Sequence, residues 1–130
     1  MTRILIVDDD ADILELLRLE FEDDPGCSAD CTTDPFHALE LAKNTPYDAV
    51  ITDWRMPLMN GSEFARALRG QGCTSYIIIY SALEPGPEIQ NVLETDADQY
   101  IFRRGNPDRE FVELKESVRN TRKRGHAVSR

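Results

Sequence analysis

The sequence predicts an α/β fold, a doubly wound five-stranded parallel sheet with helices on both faces. Two observations point there. Short apolar runs alternate five times with segments of helical periodicity across 130 residues, as expected of parallel strands joined by crossover helices. The runs RILIV and YIIIY are continuously apolar instead of alternating, the pattern of strands covered on both sides.

Taken in order, RILIV (3–7) is the first strand. From Ala11 to Phe21, Ile13, Leu14, Leu17 and Phe21 recur at helical spacing, with Asp10 as N-cap. DDPG (23–26) is a turn, and CSADC (27–31) is a weak second strand suited to a sheet edge. DPFHALELAKN (34–44) opens with Pro35 in a first helical turn and carries Phe36, Leu39 and Leu41 as its apolar residues. AVIT (49–52) is the third strand, followed by a short helix from Ser62 to Arg69. YIIIY (76–80) is the most apolar strand and belongs at the centre; Pro87 to Glu94 is a marginal fourth helix. QYIF (99–102) is the fifth strand, and residues 108 to about 123 form the last helix, with Phe111, Leu114 and Val118 inward.

The chain suits one domain over residues 1–120, with 121–130 a basic helix end, tail or linker. Hydrophobic content of 41% and charged content of 30% are ordinary for a globular protein. No apolar run approaches the roughly 18 residues of a membrane helix, and no signal-peptide pattern opens the chain, so a cytoplasmic location without membrane contact is expected. Cys27 and Cys31 lie about 13 Å apart if extended, too far to bridge, and Cys73 stands alone; reduced thiols are expected. The net charge is −9, yet the last twelve residues hold five basic side chains and no acid, which leaves −14 on the rest. That acidic body argues against direct nucleic-acid binding.

Right-handed crossovers allow two common layouts, a Rossmann half and the flavodoxin-like order 2-1-3-4-5. In either, ligands bind beyond the carboxyl ends of the strands, where the order reverses. Asp8 and Asp9 follow strand one, Asp53 follows strand three, Ser81 and Ala82 close strand four, and Arg103 follows strand five. In the order 2-1-3-4-5 the three aspartates share one crevice, with Ser81 and Arg103 across from them. Three carboxylates that close need compensation. A hard dication with oxygen ligands supplies it, and Mg²⁺ commonly takes one or two carboxylates, waters and a phosphate. A hydroxyl and a guanidinium facing that seat suggest a phosphoryl group between them. Asp53 is then the nucleophile, because no Ser/His or Cys/His pair is placed to act.

These pieces resemble the receiver domain of two-component response regulators. The resemblance spans residues 2 to about 120. It is carried by Asp8-Asp9, by Asp53-Trp54-Arg55-Met56-Pro57-Leu58-Met59-Asn60-Gly61, by Ser81-Ala82, and by Ala97-Asp98-Gln99-Tyr100-Ile101-Phe102-Arg103. It implies a (βα)5 sandwich with strand order 2-1-3-4-5 and Asp53 as phosphoacceptor for a histidine kinase carrying phosphohistidine. It also implies Mg²⁺ held by Asp8, Asp9, Asp53 and the backbone carbonyl of Arg55. Ser81 would turn its hydroxyl toward the phosphate, and Tyr100 would swing inward with it. Such a domain catalyses only its own phosphorylation and dephosphorylation and signals to a downstream effector or linked domain. Homodimers through the fourth helix, fifth strand and fifth helix are a further family habit.

The chain departs from the family in two places. Arg103 stands where receivers usually carry lysine, and Arg104 where proline is frequent. Arg55 and Leu83 occupy positions that tune dephosphorylation in similar proteins. RRGNPDREFVELKESVR is similar to archaeal receivers that precede sensory and kinase domains. Two alternatives accompany the phosphoacceptor reading. One is a degenerate receiver that binds partners without phosphorylation, with Arg103 as an internal cation. The other is a Mg²⁺-dependent phosphohydrolase, suggested by Asp-x-Asp within residues 8–10.

Overall fold

A computed structural model describes residues 1–123; the predicted tail beyond Lys123 lies outside the described residues. Five strands alternate with five helices: β1 (Thr2–Val7), α1 (Ala11–Glu22), β2 (Cys27–Thr32), α2 (Pro35–Asn44), β3 (Ala49–Thr52), α3 (Gly61–Gly70), β4 (Tyr76–Ser81), α4 (Pro87–Thr95), β5 (Gln99–Phe102) and α5 (Pro107–Lys123). The strands form one parallel sheet in the order β2-β1-β3-β4-β5.

Alternation along each strand divides the core in two. Leu5, Val7, Val50, Ile77 and Ile79 point to one face, where Ala38 of α2, Phe64 and Leu68 of α3 and Ile89 and Val92 of α4 cover them. Ile4, Ile6, Ile51, Ile78 and Tyr80 point to the other, beneath Leu14, Leu17 and Phe21 of α1 and Leu114 and Val118 of α5. Covering both faces is why β1 and β4 read as unbroken apolar runs. β2, at the edge, is only half-buried except at Thr32.

Helix starts follow local chemistry. The Asp10 carboxylate accepts from the N–H groups of Asp12 (2.9 Å) and Ile13 (3.4 Å). That of Asp34 accepts from Phe36 N–H at 2.9 Å, with Pro35 at the first helical position. Asn60 and Glu63 form a reciprocal capping box at α3, at 2.8 and 2.9 Å. These caps set the helix phase, and in α2 that phase turns one of the three apolar residues outward. Phe36 is 51% exposed, because Pro35 and Ala38 take the inward positions, while Leu39 and Leu41 pack partly against the core. None of Cys27, Cys31 and Cys73 takes part in a disulfide.

Candidate functional site

The site grows from the register of the three central strands. Val7 pairs with Thr52, so the residues that follow them emerge side by side, and Asp53 N–H donates to the Val7 carbonyl at 3.2 Å. Asp8 and Asp9 leave β1 on the same edge. One carboxylate oxygen from each of Asp8, Asp9 and Asp53 lies within 4.8 Å of the others. Asp8 is 2% exposed and Asp53 7%, whereas Asp9 faces solvent.

Each acid has a distinct environment. Asp8 accepts from Asp10 N–H at 2.9 Å, and its other oxygen lies 3.7 Å from Arg103 Nη1. Burial, then the neighbouring charge of Asp53, pushes the Asp8 carboxyl up to about 6, against the Asp10 N–H and Arg103, which favour the anion. Asp53 accepts from Trp54 N–H at 2.7 Å. Asp10 caps α1 and is not part of the cluster. The backbone after Asp53 turns tightly: Gly61 N–H donates to the Trp54 carbonyl at 2.8 Å, and a Cβ on Gly61 would stand 2.9 Å from the Asp53 carbonyl oxygen. Glycine is required there by close approach, not by an unusual backbone angle.

Across the crevice, Asp53, Arg55, Ser81, Ala82, Leu83 and Arg103, with Glu84, line a cleft of about 390 Å³. Ser81 is buried and its hydroxyl oxygen accepts from Leu83 N–H at 3.2 Å. The Tyr100 hydroxyl donates to the Leu83 carbonyl and approaches the Ser81 carbonyl at 3.4 Å, so its ring lies inward over the β4–α4 loop. Trp54 is buried beside the site, and a second cleft runs from Asp9 past Trp54, Arg55 and Met56 to Leu83. His37 is exposed on α2, its Nδ1 3.0 Å from Thr32 Oγ1, and it lines neither cleft.

Thus the residues singled out at four strand ends converge. Sequence reasoning missed Tyr80 and Glu110. Tyr80 closed an apolar run and read as core. Glu110 is only 6% exposed and, with Ser117 and Thr121, forms a buried polar row on α5 beside Leu114. A carboxylate on an otherwise inward helical stripe was the available signal.

Fold and site together define a doubly wound α/β domain with an acidic, metal-compatible pocket at its strand ends. The chain belongs to the response regulator receiver domain family, whose model matches residues 4–115. Response regulator MprA of Mycobacterium sp. (strain KMS) is 38% identical over 101 residues, covering 76% of this chain and 43% of that relative; the chain therefore spans less than half the length of such curated relatives. The receiver domain of Francisella response regulator 1452 superposes with a TM-score of 0.84 at 28% identity, covering 95% of this chain and 98% of that one. A CheY-like receiver domain protein from Methanospirillum hungatei JF-1 gives 0.80 at 26% identity, covering 96% and 99%. Among the described residues no helix is long and apolar enough to cross a membrane.

Proposed function

We propose that this receiver accepts a phosphoryl group on Asp53 from the phosphohistidine of a histidine kinase and thereby alters what its surface binds. An Asp53 oxygen would form the new O–P bond as the donor's P–N bond breaks, the electron pair leaving with the imidazole. The observation that carries this reading is the convergence of three carboxylates within 4.8 Å beside a cleft that also presents Ser81 and Arg103.

The donor set fits Mg²⁺: all oxygen, with one buried acid that resists ionisation unless a cation compensates it. Asp8, Asp9 and Asp53 would hold the ion together with the Arg55 carbonyl. Bound there, Mg²⁺ would neutralise charge on the transferring group. Arg103 would take a further phosphoryl oxygen, Ser81 would turn its hydroxyl to another, and Tyr100 would report that movement to the face of α4, β5 and α5. Partners would be the kinase, a downstream effector or linked domain, and a second copy through that face. Residues 1–120 would act as the receiver unit, and the cytoplasm would be its place of action.

Trp54 is the sole tryptophan and adjoins the acceptor. Its fluorescence should change on adding Mg²⁺ and again on adding beryllofluoride. Asp53→Asn should abolish the second change, along with labelling by a small phosphodonor. A wild-type protein that answers Mg²⁺ but never the mimic would instead favour the phosphorylation-independent reading. Turnover of a phosphate ester that survives Asp53→Asn would favour the hydrolase.

A further inference from the structure

We infer that Tyr80 and Glu110 are positioning residues that hold the Arg103 guanidinium over the acidic site. The inference rests on the phosphoacceptor reading of Asp53. An arginine at the end of β5 is long, and its planar fork must be set by something other than its own flexible stem. Three elements supply that restraint. The Arg103 Cζ lies 5.2 Å from the centroid of the Tyr80 ring, within cation–π range. The Tyr80 hydroxyl donates to Glu110 Oε1 at 2.6 Å, and Phe111 meets the ring edge-on with centroids 6.5 Å apart. The other Glu110 oxygen accepts from the N–H groups of Arg104 (2.7 Å) and Asn106 (3.2 Å). A single carboxylate thus ties the ring in β4 to the loop that begins at Arg103.

The network has a fixed charge state. Burial alone would raise the Glu110 carboxyl, but donors from Tyr80, Arg104, Asn106 and Gly105 outweigh it and hold the group below its ordinary value. Burial and the adjacent Glu110 push the Tyr80 phenol up. Near neutrality the pair is therefore a carboxylate and a neutral phenol, a stable tether for a cation resting on the ring.

The held guanidinium stops short of Asp8. Its Nη1 stands 3.7 Å from Asp8 Oδ2, and that nitrogen is buried without a hydrogen bond. A donor is consequently kept in reserve beside the cleft that Asp53 and Ser81 line, ready for an anionic oxygen entering it. Released from Tyr80, the fork would settle onto the Asp8 carboxylate, satisfying itself while occupying an oxygen that a metal ion needs.

Tyr80→Leu should therefore weaken both the Mg²⁺ and the beryllofluoride responses of Trp54, by about five-fold. In an Arg103→Ala background the same substitution should change neither. An equal loss in both backgrounds would overturn the inference. Proton and nitrogen NMR of the Arg103 side chain reads positioning directly. The ring current should move its Nε–H resonance upfield in the wild type, an offset lost in Tyr80→Leu and reduced in Tyr80→Phe, which keeps the ring but drops the tether. An Arg103 resonance that ignores both substitutions would sink the proposal. A wild type with the offset but no beryllofluoride response would defeat the phosphoacceptor reading and leave the positioning intact.

Discussion

Asp8 makes the protein without metal less stable as the pH rises toward neutrality. Its carboxyl titrates near 6 in the folded chain, against an ordinary value of 3.8. Between those values the native state holds a proton that the unfolded chain has lost, so unfolding free energy falls as pH increases. The contribution is fully present below the unfolded value and is lost as pH rises through the folded one. At 1.36 kcal/mol per pH unit the difference is on the order of 3 kcal/mol. Glu110 and Asp24, both held below their ordinary values, act in the opposite sense: their stabilisation is lost on acidification below about 4.5. A comparison with Asp8→Asn isolates the Asp8 contribution. Asparagine keeps an oxygen for the Asp10 N–H and gives up only the attraction of Arg103, a smaller effect than burial. Urea unfolding followed by Trp54 fluorescence, in chelator, should show the variant gaining on wild type by about 2 kcal/mol between pH 4.5 and 7.5. Added Mg²⁺ should then stabilise wild type and leave Asp8→Asn nearly unmoved. A stability difference that stays constant across that pH range would refute the assignment of a costly buried charge to Asp8.

Four substitutions probe how the scaffold carries the site. Gly61→Ala places a methyl 2.9 Å from the Asp53 carbonyl oxygen and 3.1 Å from the Trp54 Cα, so urea unfolding should report a loss of about 1–3 kcal/mol, with a weaker Mg²⁺ response. Asp10→Ala removes the cap of α1 and should cost about 1 kcal/mol by the same assay; an Mg²⁺ affinity equal to wild type would mark Asp10 as a cap and not a ligand. Phe36→Ala, at an exposed position, should change thermal stability by no more than about 0.5 kcal/mol. Phe64→Ala, at a fully buried one, should cost about 3–5 kcal/mol in parallel melts.

Most of the architecture was legible because both faces of the sheet are covered. Strands such as YIIIY could not be mistaken for half-exposed ribbons, and Asp10, Asp34, Pro35 and Asn60 mark helix starts by chemistry that acts within three residues. Phe36 shows what residue type alone leaves open. Its burial depends on where the helix begins, and one residue of phase is 100° of rotation. The cap, not the hydrophobicity of the side chain, decided which face it joined.

The site divides along a similar line. Asp8 and Asp53 could be brought together on paper because parallel pairing of β1 with β3 leaves their successors on one edge, whatever the side chains do. Tyr80 and Glu110 are different. Their meeting depends on the rotation of α5 about its axis, on the β4–β5 register that sets Ser81 against Phe102, and on how far an arginine reaches. None of these has a short-range signal in sequence. Yet the departure at Arg103 is itself visible in the sequence. A longer, planar cation beside three carboxylates needs either a competing anion or a surface to rest on. Tyr80 supplies that surface, and at 3.7 Å from Asp8 the fork shares the carboxylate's charge without taking one of its oxygens in a hydrogen bond. Arginine can therefore occupy this position without closing the site, provided that β4 carries an aromatic ring and α5 a carboxylate to steady it.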